Sequence, residues 1–293
     1  MALGTDQQRT YVETIHTIYP GIDIRSARQQ AHDGEFNDIL FVNDDLVFRF
    51  PRYAENIPGF WHEIQLLVKL QAPLPLPIPN PIYTSPASTK LGNVFVGYPL
   101  IPGQPLYPEV MNSITNEATI QGLARQLADF LSRLHNLTPA MLGLDLTSQK
   151  MPDWVSTFYS EAREHLFPFM RHEACLALTG HFDDYFNTPD LQRYTPTIIH
   201  GDFGGSNILI DNHQISGILD FSSAGYGDPA LDIAAVSTYG EPFFSHFCRF
   251  YTPTEAQLNR AKFYRGIFAL EEALYGWKNN NKEAFDRGME QYV

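Results

Sequence analysis

The sequence is poor in cysteine: Cys175 and Cys248 are the only two among 293 residues. That excludes a disulfide framework and any zinc spacing built on thiolates, and it suits a chain kept in a reducing cytoplasm. Long apolar runs are missing as well. No uncharged apolar run approaches the ~20 residues that a bilayer-spanning helix needs, and the polar opening MALGTDQQRT has no signal-peptide core, so a cytoplasmic protein with no membrane partner is expected. Basic residues are scarce too: 20 Lys and Arg against 33 Asp and Glu leave a net charge of -13 at pH 7. A surface of that sign excludes non-specific nucleic-acid binding and favours cationic small molecules, although acidity of this degree also serves solubility alone. Glycine-rich loops are absent. There is no GxxxxGK[ST], which excludes a P-loop enzyme, and no G-x-G-x-x-G; only Gly34, in the 33–37 loop, could help a short turn close over a phosphate.

The patterning that is present changes character along the chain. Residues 6–19 read as a helix, and strand-like runs follow at 22–30, 38–42 and 46–50, the last two joined by Asn43-Asp44-Asp45. A helix comes next, with Asn56 as its N-cap, Pro58 in the first turn, and Ile57, Trp61, Ile64 and Val68 as its apolar stripe. The segment QAPLPLPIPNPIYTSPAS carries six prolines and cannot be helical. A strand at 94–100 ends at Pro102-Gly103, a natural hinge. Beyond it the period becomes helical: Ile120, Leu123, Ala124, Leu127, Leu131 and Leu134 form one stripe, and further helices are expected around 153–186, 229–250 and 254–290. The fold class expected is α+β and bilobal, with a small β-rich lobe over 1–101 and a larger helical lobe over 102–293.

The chemistry concentrates in IIHGDFGGSNILIDNHQISGILDFSSAGYGDPALDIA, residues 198–234. A hairpin with its turn near residue 213 brings position 207 opposite 219, so Asn207 and Asp220 meet at its open end. Two oxygen-bearing side chains held together suit magnesium, which takes one or two protein ligands and leaves the rest to phosphate and water. Asp202, on the loop entering the same end, is placed to accept a hydroxyl proton or orient that hydroxyl. His200 reads as a packing residue beneath the loop. A second signal is LVFRF, where alternation puts Val47 and Arg49 on one face and Leu46, Phe48 and Phe50 on the other. A cation on such a strand can hold the non-transferred phosphates, with Glu63 on the next helix as its partner; Arg52 is the alternative cation. Asp228, before Pro229, reads as a helix cap, and Asp232 as structural.

The H-x-D-x-x-x-x-N motif followed by hydrophobic-D-F resembles the catalytic and magnesium loops of the protein-kinase-like fold. With FVNDDLVFRFPR, FVGYPLIPGQPL, LSRLHNL and ALEEALYGWKNNNKEAF in the right order, the chain resembles the aminoglycoside phosphotransferase superfamily, and most of all its 2''-phosphotransferase branch. The resemblance implies a small-molecule kinase using Mg2+ and ATP or GTP. It makes Asp202 catalytic, Asn207 and Asp220 metal ligands, and Arg49 and Glu63 the phosphate-binding pair, with Tyr98, Leu100 and Ile101 at the purine. A cationic small-molecule acceptor would meet Glu241, Phe268 and either Glu271 or Glu272, since adjacent helical residues diverge by ~100°. A monomer is expected. A kinase for a macrolide, amino alcohol or sugar is the alternative, and a nucleotide-binding pseudokinase a further one.

Overall fold

The computed structural model describes residues 6–30, 36–144 and 154–293. Gly34 and most of the 33–37 loop lie outside the described residues. The fold is α+β, a β-rich N-terminal region followed by a helical C-terminal one. It divides into two compact units, Met1–Tyr107 with Gly205–Ala224, and Pro108–Gly204 with Gly225–Val293.

The first unit is built on a five-stranded antiparallel sheet in the order β1-β2-β3-β5-β4. Its strands are β1 (Ala27–Gln29), β2 (Asn37–Val42), β3 (Leu46–Pro51), β4 (Tyr83–Thr84) and β5 (Val96–Pro99). The alternation expected for β3 holds. Phe48 and Phe50 pack with Leu40, Val42 and Phe95 against Tyr11 and Ile15 of α1 (Asp6–Ile18). Val47 faces the other way, among Val96, Tyr98 and the residues Ile57, Phe60 and Ile64 of α2 (Ile57–Leu70). Gly97 sits across from Phe48, and a Cβ there would fall 2.4 Å from the ring, so only glycine lets the aromatic core close. Asp38 fastens α1 to the sheet: it is buried and accepts from Gln7 Nε2 at 2.9 Å, Tyr11 OH at 2.6 Å and Arg52 Nε at 2.8 Å.

Three expectations shift here. The strand sought at 22–30 shrinks to Ala27–Gln29. Asn43 is the reason: its side-chain oxygen accepts from Arg25 N at 2.8 Å and Ser26 N at 3.1 Å, and its amide donates to Asp23 O at 2.6 Å, which takes that backbone out of the ladder. Asn56 makes no side-chain cap, because a 3-10 turn over Ala54–Asn56 already leads into α2. On α2 the expected stripe is buried at Ile57 and Ile64 but fails at its end: Val68 is exposed, while Phe60, Leu67 and Leu70 are buried.

The proline-rich connector contains no helix, as the sequence requires, and β4 is its only strand. It also receives a later part of the chain. Strands β8 (Ile208–Asp211) and β9 (Gln214–Ile218) form a hairpin that adds to β6 (Gln104–Pro105). Ile218 N bonds Pro77 O at 2.9 Å, and Gly217 lies against Ile101. Asn212 and His213 turn the hairpin with φ of 47° and 61°, the left-handed pair of a type I′ turn.

The second unit is helical around a short ladder of β7 (Thr197–Ile199) and β10 (Gly225–Gly227). Its helices are α3 (Pro108–Ser113), α4 (Glu117–His135), α5 (Pro139–Leu142), α6 (Trp154–His165), α7 (His172–Asn187), α8 (Pro189–Gln192), α9 (Ala230–Val236), α10 (Phe243–Tyr251), α11 (Glu255–Arg265), α12 (Phe268–Lys278) and α13 (Lys282–Met289). The stripe read on α4 is buried from Ile120 to Leu134, and Asn116 caps the helix by accepting from Thr119 N at 3.0 Å. The helical tract sought over 153–186 is interrupted by a 3-10 turn at Phe167–Phe169, which contains Pro168.

Candidate active site

In the first unit, Arg49 and Glu63 form a buried two-point pair. Arg49 Nη1 meets Glu63 Oε1 at 2.6 Å and Nη2 meets Oε2 at 3.1 Å. Only an Arg fork matches both carboxylate oxygens in this way. Asp220 Oδ1 lies 4.0 Å from the same guanidinium. Burial opposes the Arg49 charge, but Glu63, Tyr98 and Asp220 outweigh it and hold its pKa above the usual arginine range. Tyr98, beside the pair, has its phenol pushed up to about 12, first by burial. Arg52 serves Asp38 instead. Leu100 is exposed, and its N–H is given to Asp45 O at 2.8 Å.

The hairpin leaves its turn with Asp211 facing Gln214, and a bulge between Leu209 and Ile210 then shifts the register by one residue. Ile208 faces Ile218, and beyond that rung Leu219 N donates to Asn207 O at 2.7 Å. Asn207 is buried on a 3-10 turn, Gly205–Asn207. Asp220 adopts φ of 55°, and its Oδ1 accepts from Ser222 N at 3.2 Å, an Asx turn that aims the carboxylate. An amide oxygen and a carboxylate at one hairpin mouth fit magnesium. Among the described residues no cluster of three or more His, Cys, Asp or Glu forms a full metal cage, and a nucleotide-bound magnesium does not need one.

In the second unit, the loop bearing Asp202 is anchored from below. Asp232, fully buried, accepts from His200 N at 2.8 Å and Gly201 N at 2.9 Å, and meets His135 Nε2 at 3.0 Å. The other ring nitrogen of His135 lies 2.7 Å from Tyr251 OH. Burial works against the Asp232 charge, yet His135 and the His200 contacts prevail, and its pKa falls below the usual carboxylate value. His200 is fully buried, stands edge-on to Phe203 and accepts from Asp202 N at 3.3 Å. Gly201, at φ of 81°, turns the chain so that Asp202 is exposed above this base.

Asp202 has a second carboxyl for company. Burial, and then the Asp202 charge, push the Glu271 pKa up to about 8. Glu271 also lines a cavity of about 490 Å³ with Trp154, Phe158, Glu161, Tyr275 and Lys278.

A family model described as the phosphotransferase enzyme family, APH, matches residues 28–264. The chain belongs to this family. Viomycin phosphotransferase of Streptomyces vinaceus is 26% identical over 298 residues, spanning 97% of this chain and 98% of its own. The GDP complex of wild-type aminoglycoside 2'-phosphotransferase-IIIa superposes with a TM-score of 0.85 at 26% identity, covering 98% of this chain and 97% of that one. The GDP and kanamycin complex of APH(2")-IIia gives 0.84 at 27% identity, covering 96% of each. The resemblance carried by the 198–234 motifs therefore holds, and the APH chain is a small-molecule phosphotransferase.

The other residues proposed for the acceptor in this APH chain lie in different settings. Glu272 pairs with Arg287 of α13, so it and Glu271 diverge around α12 as the helix period demands. Glu241 accepts from Ser245 N at 3.3 Å at the start of α10. Phe268 is half-buried at the first turn of α12. Asp228 accepts from Ala230 N at 3.0 Å and also grips Arg260 and Tyr264. The helix-end role read for it is thus joined by a buried ion pair. Sequence reasoning missed the roles of His135 and Tyr251, although LSRLHNL closes the α4 stripe on that histidine.

Two tests concern this geometry. Glu63→Ala strands a buried guanidinium and should cost roughly 3–5 kcal/mol. Thermal or denaturant unfolding measures it, and a loss well under 1 kcal/mol would mean that the Arg49 charge does not need its partner. The second concerns Glu271. Its unfolded carboxyl titrates near ~4.3 and its folded one near 8. The folded state therefore holds the extra proton between those values. Its stabilising effect is complete below the unfolded pKa and is lost as pH rises through about 8. Glu271→Gln should remove that slope, leaving the variant roughly a few degrees more stable than wild type near pH 8. Parallel melting profiles from pH 4 to 9 would show a carboxyl that ionises normally.

Proposed function

We propose that this phosphotransferase moves the terminal phosphate of ATP or GTP to a hydroxyl of a cationic small molecule, an aminoglycoside-type antibiotic. The observation that carries the acceptor class is Glu271 beside Asp202. Burial, and then the Asp202 charge, keep the proton on Glu271 to about pH 8, and a site that holds both carboxyls gains from an arriving ammonium group. The net charge of -13 adds long-range attraction for such an acceptor. Relatives that bind kanamycin or carry viomycin in their names point the same way.

The roles follow from position. Arg49, held by Glu63, offsets charge on the non-transferred phosphates. The backbone of Tyr98, Leu100 and Ile101 takes the purine; with the Leu100 N–H engaged, this falls to the Leu100 carbonyl and the Ile101 N–H. Asn207 and Asp220 would hold magnesium, which would supply positive charge to the phosphates. Asp202 orients the acceptor hydroxyl and receives its proton. Phosphoryl transfer passes through a loose transition state, so holding the reactants in line and matching their charge supply most of the rate gain.

Nucleotide consumption with kanamycin, gentamicin, viomycin and a macrolide decides the acceptor. Strong stimulation by the polycationic compounds supports this reading. Stimulation by the macrolide alone, or slow background hydrolysis with every compound, would move the acceptor to another hydroxylated class.

A further inference from the structure

The cavity lined by Glu271 has a second end. Its walls repeat one pattern: Trp154, Phe158 and Glu161 on α6, and Glu271, Tyr275 and Lys278 on α12, each trio spaced i, i+4, i+7. That spacing puts each trio on one helix face. Glu271 marks the end near Asp202, and Lys278 stands two turns away, a rise of about 10 Å along the axis. The Trp154 and Phe158 rings, with centroids 6.2 Å apart, give the groove an aromatic lining.

At the far end a cation is already in place. Lys278 Nζ lies 2.8 Å from each oxygen of Glu161, with the two side chains 44% and 35% exposed. An ion pair this open to solvent is only weakly held, and the flexible lysine stem lets its head swing aside. At the near end, the raised Glu271 pKa marks a place where an arriving ammonium is stabilising. A ligand held there presents its second charge to Glu161 at high effective concentration, which suffices to displace a weak resident.

We propose that the α6–α12 groove is a subsite for a second, distal ammonium group of the acceptor, and that Lys278 is a built-in placeholder on Glu161 which a suitably spaced dication displaces. This rests on the acceptor being taken beside Asp202, and it adds a rule of selection. Lys278 disfavours dications that reach Glu161 and is indifferent to monocations held at Glu271 alone. Selectivity among polyamine-like acceptors is therefore set at residue 278, two helical turns from Glu271.

Calorimetric titration without nucleotide tests it, with diaminooctane, diaminopropane and octylamine as probes. Lys278→Met should bind diaminooctane about 5-fold tighter than wild type, the scale of a released solvent-exposed pair. Octylamine, with one charge, and diaminopropane, too short to span the groove, should be unchanged. Lys278→Arg should behave as wild type, and adding Glu161→Gln to Lys278→Met should abolish the gain. Matching far-ultraviolet spectra and melting temperatures keep the comparison to folded protein. No gain for diaminooctane, an equal gain for octylamine, or no binding of any probe to either protein would overturn the proposal. Nucleotide consumption by the same variants separates the two readings: titrations that follow the pattern while no acceptor stimulates turnover would remove the acceptor assignment and leave the subsite.

Discussion

Asp202→Ala should lose phosphotransfer by about 10³-fold or more while nucleotide still binds with near wild-type affinity. A positioned acid–base group contributes roughly 10²–10⁴ in rate, and in-line orientation of the hydroxyl adds to that. Retained nucleotide binding is expected because the Arg49–Glu63 pair does not involve the substituted side chain. The fold should stay intact, since the His200 and Gly201 amides on Asp232 hold the loop. Single-turnover rates and a nucleotide titration read the two quantities separately. Turnover within about 10-fold of wild type would give the hydroxyl to another base.

Asp220→Ala should be nearly as damaging, by a different route. Removing this proposed magnesium ligand should weaken metal binding, and the lost charge stabilisation is expected at about 10²–10³-fold in rate. The deficit should shrink as magnesium is raised, which does not happen for Asp202→Ala. Asp220 also stands 4.0 Å from Arg49, so its loss leaves the guanidinium with Glu63 and Tyr98. Nucleotide affinity measured without metal should then stay level or rise slightly. An unchanged magnesium dependence in the variant would remove Asp220 from the metal site.

Much of this was legible because the relevant spacings are short. The hairpin is set by a turn near residue 213, and a bulge between Leu209 and Ile210 completes the register in which Ile208 faces Ile218 and the Asn207 carbonyl meets the Leu219 N–H. The faces of β3 follow from a period of two, and the buried stripe of α4 from a period of 3.6. What stayed hidden depends on long-range partners. Nothing local ties His135 to Asp232, 97 residues away, or Lys278 to Glu161, 117 residues away. Nor does periodicity choose between neighbouring faces of a mainly apolar helix such as α2, where Val68 was expected inside and Leu67 is found there. The extended stretch before β1 was misjudged for a related reason: Asn43 reaches back across the turn to claim its backbone. For Glu271 and Glu272 the sequence said that one must turn away, and the Arg287 contact decides which.

The clasp on Asp38 bears on how the protein can be handled. Two of its donors, Gln7 and Tyr11, come from the first helix, and Arg52 supplies the third. Trimming the chain as far as residue 12, a step that looks harmless because it touches no proposed ligand, would leave a carboxylate sealed in an aromatic core with one partner where it had three. The strand carrying Arg49 shares that core through Phe48 and Phe50, so a shortened enzyme should fail at its nucleotide end first.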